Sequence, residues 1–257
     1  MRHTIHDNPA CRQASINSKT KEAMKQEQRY NIFKRTHKGL RSMMFDAGAR
    51  IQQADFTKAK EANAAIEAAK QTTRSFLYHL SKEDSILYHS VILYAPYIVA
   101  KIEQTNVKDE SLARSVDTII DRYKDINKKS DMVAFGHQLQ AVFFEFTAAV
   151  LQHMNKEETV INELLWANYS DKQLVVIEVE MLKQSIPEAC TWYTGKILKE
   201  LSNSEIIIWI NGIAEHASSG IIEKLISTTQ RVLPIDRWQM IRGKFMTTRD
   251  RTNRAAA

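Results

Sequence analysis

From Tyr30 onward, apolar residues recur at alternating steps of three and four. Tyr30, Phe33, His37, Leu40, Met44, Ala47 and Ile51 share one stripe, the period of a helix that turns one face to a core. Asp55-Phe-Thr57 reads as the close of this helix and the cap of the next. The second stripe runs Ile66, Ala69, Thr73, Phe76, His79/Leu80, Glu83 and Leu87. Pro96 interrupts the pattern, and a third stripe follows through Ile102, Thr105/Asn106, Asp109, Leu112, Val116, Ile119, Tyr123 and Ile126. Ser130 or Asp131 can cap a fourth helix, with Phe135, Leu139, Val142, Phe146, Ala149, His153, Glu157, Ile161 and Leu164 on its stripe.

Beyond Trp166, Ser170 or Asp171 caps a further helix, Pro187 starts another, Ser202 to Ser204 is a cap region and Leu233-Pro234 ends the last long periodic stretch. Seven Gly and four Pro are few for 257 residues, which favours helices over a turn-rich β fold. The expected organisation is all-α, with a helical bundle over 29–169, an accessory helical region over 170–243 and polar, disordered basic tails at 1–28 and 244–257.

The stripes carry polar residues at a recurring place. His37, His79, Glu83, Asn106, Asp109, His153 and Glu157 all occupy core-facing positions. His79-Leu-Ser-Lys-Glu83 and His153-Met-Asn-Lys-Glu157 are two copies of one spacing, which sets an imidazole and a carboxylate one helical turn from each other on one face. If short turns near 56, 94–95 and 129 reverse the chain, residues 79–83, 106–109 and 151–157 fall at one depth, with His37 roughly one turn off. An isolated buried carboxylate costs several kcal/mol or shifts its pKa, so burial of Glu83 and Glu157 calls for partners. Three imidazoles and two carboxylates from three helices are close to the donor inventory of a di-iron carboxylate site.

Charge changes this picture little. The formal net charge is +6, but Met1–Arg29 holds +3 and Arg242–Ala257 holds +4, leaving the middle near −1. No basic stripe runs along a core helix, so nucleic-acid binding is not expected. Cys11 and Cys190 are lone thiols without CxxC spacing, which suits a reducing compartment. The start of the chain lacks a continuous apolar segment, and the run Ile206–Ile210 is short against the ~20 residues a bilayer requires. A soluble cytoplasmic protein, not bound to membranes, is expected.

On His37-Lys-Gly-Leu-Arg41, His79-Leu-Ser-Lys-Glu83-Asp84 and His153-Met-Asn-Lys-Glu157-Glu158, the chain resembles the hemerythrin-like, or HHE cation-binding, family. Leu165-Trp-Ala-Asn-Tyr-Ser-Asp171 is similar to a stretch of longer bacterial members, and the resemblance covers roughly 30–232. It implies an antiparallel up-down-up-down four-helix bundle. It also implies a cofactor of two irons bridged by Glu83 and Glu157, with His37, His79 and His153 as terminal ligands. The implied partner is dioxygen or a related diatomic or peroxide ligand, which the protein binds or senses, nitric oxide included; handling of iron itself is a further implied role.

This chain departs from that family in one respect. No histidine lies between His89 and His137, where the third helix of the family usually has one; Asn106 and Asp109 stand there instead. An amide oxygen or a carboxylate ligates iron as a harder donor than imidazole, which leaves mixed or mononuclear occupancy and other divalent metals open. An interaction or structural bundle with a degenerate metal site is the alternative. A carboxylate-bridged oxidase is a third, but no nucleotide loop, nucleophile–base pair or substrate clamp names an organic substrate. His137 is expected to face away from the site, His89 to lie about 80° off it at a helix end, His216 to be a half-buried helix residue, and His3 and His6 to lie in the tail. Asp84 and Glu158 are expected in solvated or interhelical roles, because each follows its glutamate by one residue and so turns ~100° away. Tyr30 and Tyr78 are expected to pack.

Overall fold

Helices form wherever the period of three and four holds. The computed structural model describes residues 29–184 and 187–245, with side chains described except at 187–191. Four long helices come first: α1 (Lys34–Gln53), α2 (Ala59–Lys82), α3 (Pro96–Asp121) and α4 (Lys129–Lys156). Five follow: α5 (Asp171–Lys183), α6 (Pro187–Glu200), α7 (Asn203–Ala214), α8 (Ser219–Val232) and α9 (Ile235–Ile241). Among the described residues there is no strand, and no helix is long and apolar enough to cross a membrane.

α1 packs on α2 and α4, and α3 packs on the same two, so the four helices close a ring around one core. Leu40, Met44, Phe76, Leu139, Phe143 and Phe146 fill it, and the Phe76 ring meets Phe146 edge-on at 5.5 Å. Burial of each such side chain contributes about 1.5–3 kcal/mol. The buried face of α1 is the expected stripe from His37 to Ile51, while Tyr30 precedes the helix. Elsewhere the face slips by one position: Ala113, Phe143 and Val150 are buried where Leu112, Val142 and Ala149 were expected. Paired apolar neighbours leave the stripe's phase ambiguous, and packing chooses between them.

Two local features were not legible in the periodicity. α2 runs on through a π-helical turn, Glu83–Leu87, into the short helix Tyr88–Val91. α4 runs on through a second one, Glu157–Ile161, into Asn162–Asn168. The N–H of Tyr88 bonds the Glu83 carbonyl and that of Asn162 bonds the Glu157 carbonyl, five residues back in each case. Such a turn holds one residue more than an α-turn, which is why Leu165 rather than Leu164 is buried after it.

Helix starts correct the expected caps in two places. Asp55 accepts from the N–H and hydroxyl of Thr57, a local turn that uses its oxygens, and α2 begins after Lys58 without a side-chain cap. α4 likewise starts after Lys128, which places Ser130 and Asp131 inside its first turn. Ser170 and Ser202 do cap, each in a reciprocal box with Gln173 and Glu205. Pro96 occupies the first turn of α3, where its missing N–H has no partner to lose.

The C-terminal helices anchor on α1. α6 packs along it, Arg35 pairs with Glu178 of α5 at 2.7 Å, Trp209 of α7 donates to the same carboxylate at 3.0 Å, and Lys38 reaches Glu205 at 2.8 Å. The described residues from Ile32 onward form one compact unit. The tail expected over 1–28, and most of that over 244–257, lies outside the described residues.

The two helices approach closely at Gly39, where an added Cβ would stand 2.9 Å from Ile197 Cγ1 and 3.0 Å from its backbone Cα. Alanine gains about 1 kcal/mol of helix propensity over glycine, but overpacking against backbone costs about 1–3 kcal/mol and prevails. Gly39→Ala is therefore expected to lower the urea midpoint, by up to about 2 kcal/mol of stability; an unchanged or higher midpoint contradicts the tight α1–α6 contact.

Candidate metal centre

Three helices deliver the centre. His37 lies on the inner face of α1, His79 one turn before the end of α2 with Glu83 at its junction with the first π-turn, and His153 and Glu157 at the matching places of α4. All five side chains are essentially removed from solvent. The His37 ring stacks on Phe33 and the His153 ring stands edge-on to Phe76, so the walls are apolar and the donors converge inward.

His37 Nε2 lies 3.2 Å from His79 Nε2, 3.3 Å from Glu157 Oε2 and 3.9 Å from Glu83 Oε1. His79 Nε2 lies 3.0 Å from Glu83 Oε1. One donor atom from each of His37, His79, Glu83 and Glu157 falls within 4.8 Å of every other. A cation with bonds of about 2 Å to nitrogen and oxygen spans ligand atoms about 4 Å apart, so small movements enclose one. His153 Nε2 lies outside this foursome but beside it, 3.0 Å from Glu157 Oε2 and 4.0 Å from Glu83 Oε2. Glu83 thus divides its oxygens, Oε1 towards His37 and His79 and Oε2 towards His153, while Glu157 Oε2 meets both His37 and His153.

The donor set fits a metal by a second criterion. Among the described residues, both Glu83 oxygens, Glu157 Oε2 and His153 Nε2 are buried without a hydrogen-bond partner. Buried polar atoms are nearly always satisfied, and these four converge on one small volume where a cation bound by imidazole and carboxylate would satisfy them.

Charge follows the same logic. Burial disfavours the imidazolium of His37, yet its contacts with Glu157, Glu158 and Glu83 outweigh that and raise it to about 10. His153 is pushed up to about 11, because Glu157, Asp109 and Glu83 overcome its desolvation. Burial also opposes ionisation of Glu157, but His153 and His37 hold it well below the carboxylate range. Without a metal, protons on two imidazoles balance the carboxylates.

The outer nitrogens are held as well. His37 Nδ1 meets Glu158 Oε1 at 2.8 Å, and Arg41 donates to that oxygen at 2.6 Å. Of the solvated and interhelical roles expected for Glu158, this is the interhelical one: position 158 turns away from the metal face of α4, and in doing so it reaches the back of the α1 imidazole. His153 Nδ1 lies 3.2 Å from Asp109 Oδ2. Partners of this kind set the tautomer and orientation of ligand histidines.

The third helix therefore offers no direct donor to the foursome. Asp109 sits behind His153, and the Asn106 amide donates to Asp84 at 2.9 Å. Asp84, expected in a solvated or interhelical role, makes that interhelical bond. The polar group on this flank is Tyr88, whose buried hydroxyl donates to Glu157 Oε1 and adjoins Asn106. Burial together with Glu157 and Glu83 pushes this phenol well above its ordinary range. Sequence reasoning missed Tyr88 because five residues after Glu83 is about 140° round an α-helix, and only the π-turn returns it to the site face. Tyr78 packs edge-on to Tyr193 at 5.2 Å. His89, His137 and His216 are exposed, the last where half-burial was expected, and His3 and His6 lie outside the described residues.

A buried cluster of histidine and glutamate inside an all-helical bundle defines a metal-binding helical protein. The family model described as the hemerythrin HHE cation binding domain matches residues 28–165, more than half of the chain, and the chain belongs to that family. The match ends before α5, short of the resemblance drawn to about 232. Searches of curated proteins and of solved structures returned no match.

Glu158→Ala frees His37 Nδ1 and Arg41 while leaving every inward donor in place. Metal affinity, measured by competition with a chromophoric chelator, should fall about 10–100-fold; an unchanged affinity contradicts the orienting role. The raised imidazoles set a second expectation. Their stabilisation is complete below the unfolded value of about 6.5 and is lost as pH rises through about 10 and 11. Metal-free protein should melt at progressively lower temperature from pH 7 to 10, and a flat or rising profile by calorimetry contradicts this balance.

Proposed function

We propose that this chain is a non-haem di-iron protein that binds or senses dioxygen, peroxide or nitric oxide, or handles iron. In this reading α1 to α4 form the antiparallel up-down-up-down bundle and residues 170–243 are an accessory region. Glu83 and Glu157 bridge two metal positions, His37 and His79 serve one, and His153 serves the other. The observation that carries the proposal is three buried acceptors, Glu83 Oε1, Glu83 Oε2 and Glu157 Oε2, without hydrogen-bond partners and facing three imidazoles across 3.0–4.0 Å. When bound, the metal supplies an open coordination position for a small ligand.

The protein's own groups define what that position is like. Phe33 and Phe76 exclude water from the imidazoles, which strengthens every charge interaction inside. Glu158 and Asp109 hold the outward nitrogens of His37 and His153 and so orient the rings, and Tyr88 fixes Glu157 by donating to one of its oxygens.

Elemental analysis of protein from iron-supplemented cells should find close to two irons per chain. Saturating metal at 100–1,000 times the dissociation constant should add about 3–4 kcal/mol of stability, and His79→Ala and His153→Ala should each diminish that increment. No stoichiometric metal, together with a melting temperature indifferent to metal in wild type and variants, favours the structural bundle with a degenerate site and overturns the proposal.

A further inference from the structure

The repeat of histidine and glutamate extends one step further in three dimensions than in sequence. After each glutamate the helix widens by one residue, and the fifth residue on is a buried polar one: Tyr88 after Glu83 and Asn162 after Glu157. π-turns are rare and occur frequently at functional sites. In the first copy the result is explicit, since the Tyr88 hydroxyl is fastened to Glu157, the glutamate of the other copy.

The two sides of the carboxylates are unequal in donors. His37 and His79 both face Glu83 Oε1, whereas Glu83 Oε2 faces His153 alone, whose second nitrogen is committed to Asp109. The third helix has no imidazole to add, and Asn106 directs its amide to Asp84. The oxygen of Tyr88 lies against Glu157 and next to Asn106 of the third helix, the helix whose Asp109 also meets His153.

We infer that Tyr88 is itself a metal ligand, its phenolic oxygen completing the position served by His153. This rests on the metal-binding reading above. His153 Nε2, Glu83, Glu157 and the Tyr88 oxygen then make four protein donors at this position, one nitrogen and the rest oxygens. As the metal–oxygen bond forms the phenolic proton leaves to solvent, as ligand protons do. The consequence is a centre with one imidazole-rich position and one oxygen-rich position, and oxygen donors favour harder cations.

The test uses the full chain, loaded with ferrous iron and oxidised in air, with iron counted by elemental analysis. A ferric–phenolate bond gives a visible charge-transfer band, and resonance Raman excitation within it enhances tyrosine ring modes. Wild type should show both and Tyr88→Phe should lose both. Tyr88→His, which returns an imidazole donor, should bind iron without either signal and serves if the phenylalanine variant does not fold. Stoichiometric iron with no tyrosine ring modes, or ring modes that persist in both variants, overturns the Tyr88 assignment and leaves the metal reading intact. Wild type that takes up no iron overturns both.

Discussion

Two carboxylates, Glu83 and Glu157, are held where water does not reach. Each costs several kcal/mol to bury as an ion, and none of the four helices carries a lysine or arginine into the same space to offset it. The requirement for positive charge at this one level organises the rest: imidazoles from α1, α2 and α4 converge on it, and protons or a cation must supply the balance.

The surrounding structure reads as support for that level. Aromatic side chains close it off, while Glu158, pinned by Arg41, and Asp109 grip the outward nitrogens of His37 and His153. The two π-turns fall directly at the two glutamates, so the helices depart from regular geometry at the residues that carry the chemistry and nowhere else along α1 to α4. The helices beyond the family match are tied to α1 through Arg35, Lys38 and Gly39. These residues flank His37, so packing of the C-terminal region bears on the position of a ligand.

Much of this was legible in the chain. The period of three and four marks all four long helices, and the same stripes carry His37, His79, Glu83, His153 and Glu157 to the core because a histidine or glutamate in an apolar row has no other place to go. What escaped had a common cause. Tyr88 lies off the stripe in any reading that assumes 3.6 residues per turn, and nothing local in Glu83–Leu87 announces a wider one. Glu158 points away from its own helix's metal face, which suggested a solvated or interhelical role but not its partner; that the partner is His37 of α1 is a tertiary relation that periodicity does not encode. Asp109 and Asn106 were identified as core-facing but not by what they face, since depth along a bundle does not say which nitrogen of a histidine or which neighbouring carboxylate lies opposite.

Anomalous diffraction at the iron edge from crystals of the metal-loaded protein tests the central claim most directly. Peaks within bonding distance of His37 and His79 on one side of the glutamates and of His153 on the other are the predicted result. Fully formed crystals of iron-treated protein with no anomalous density between Glu83 and Glu157 contradict it.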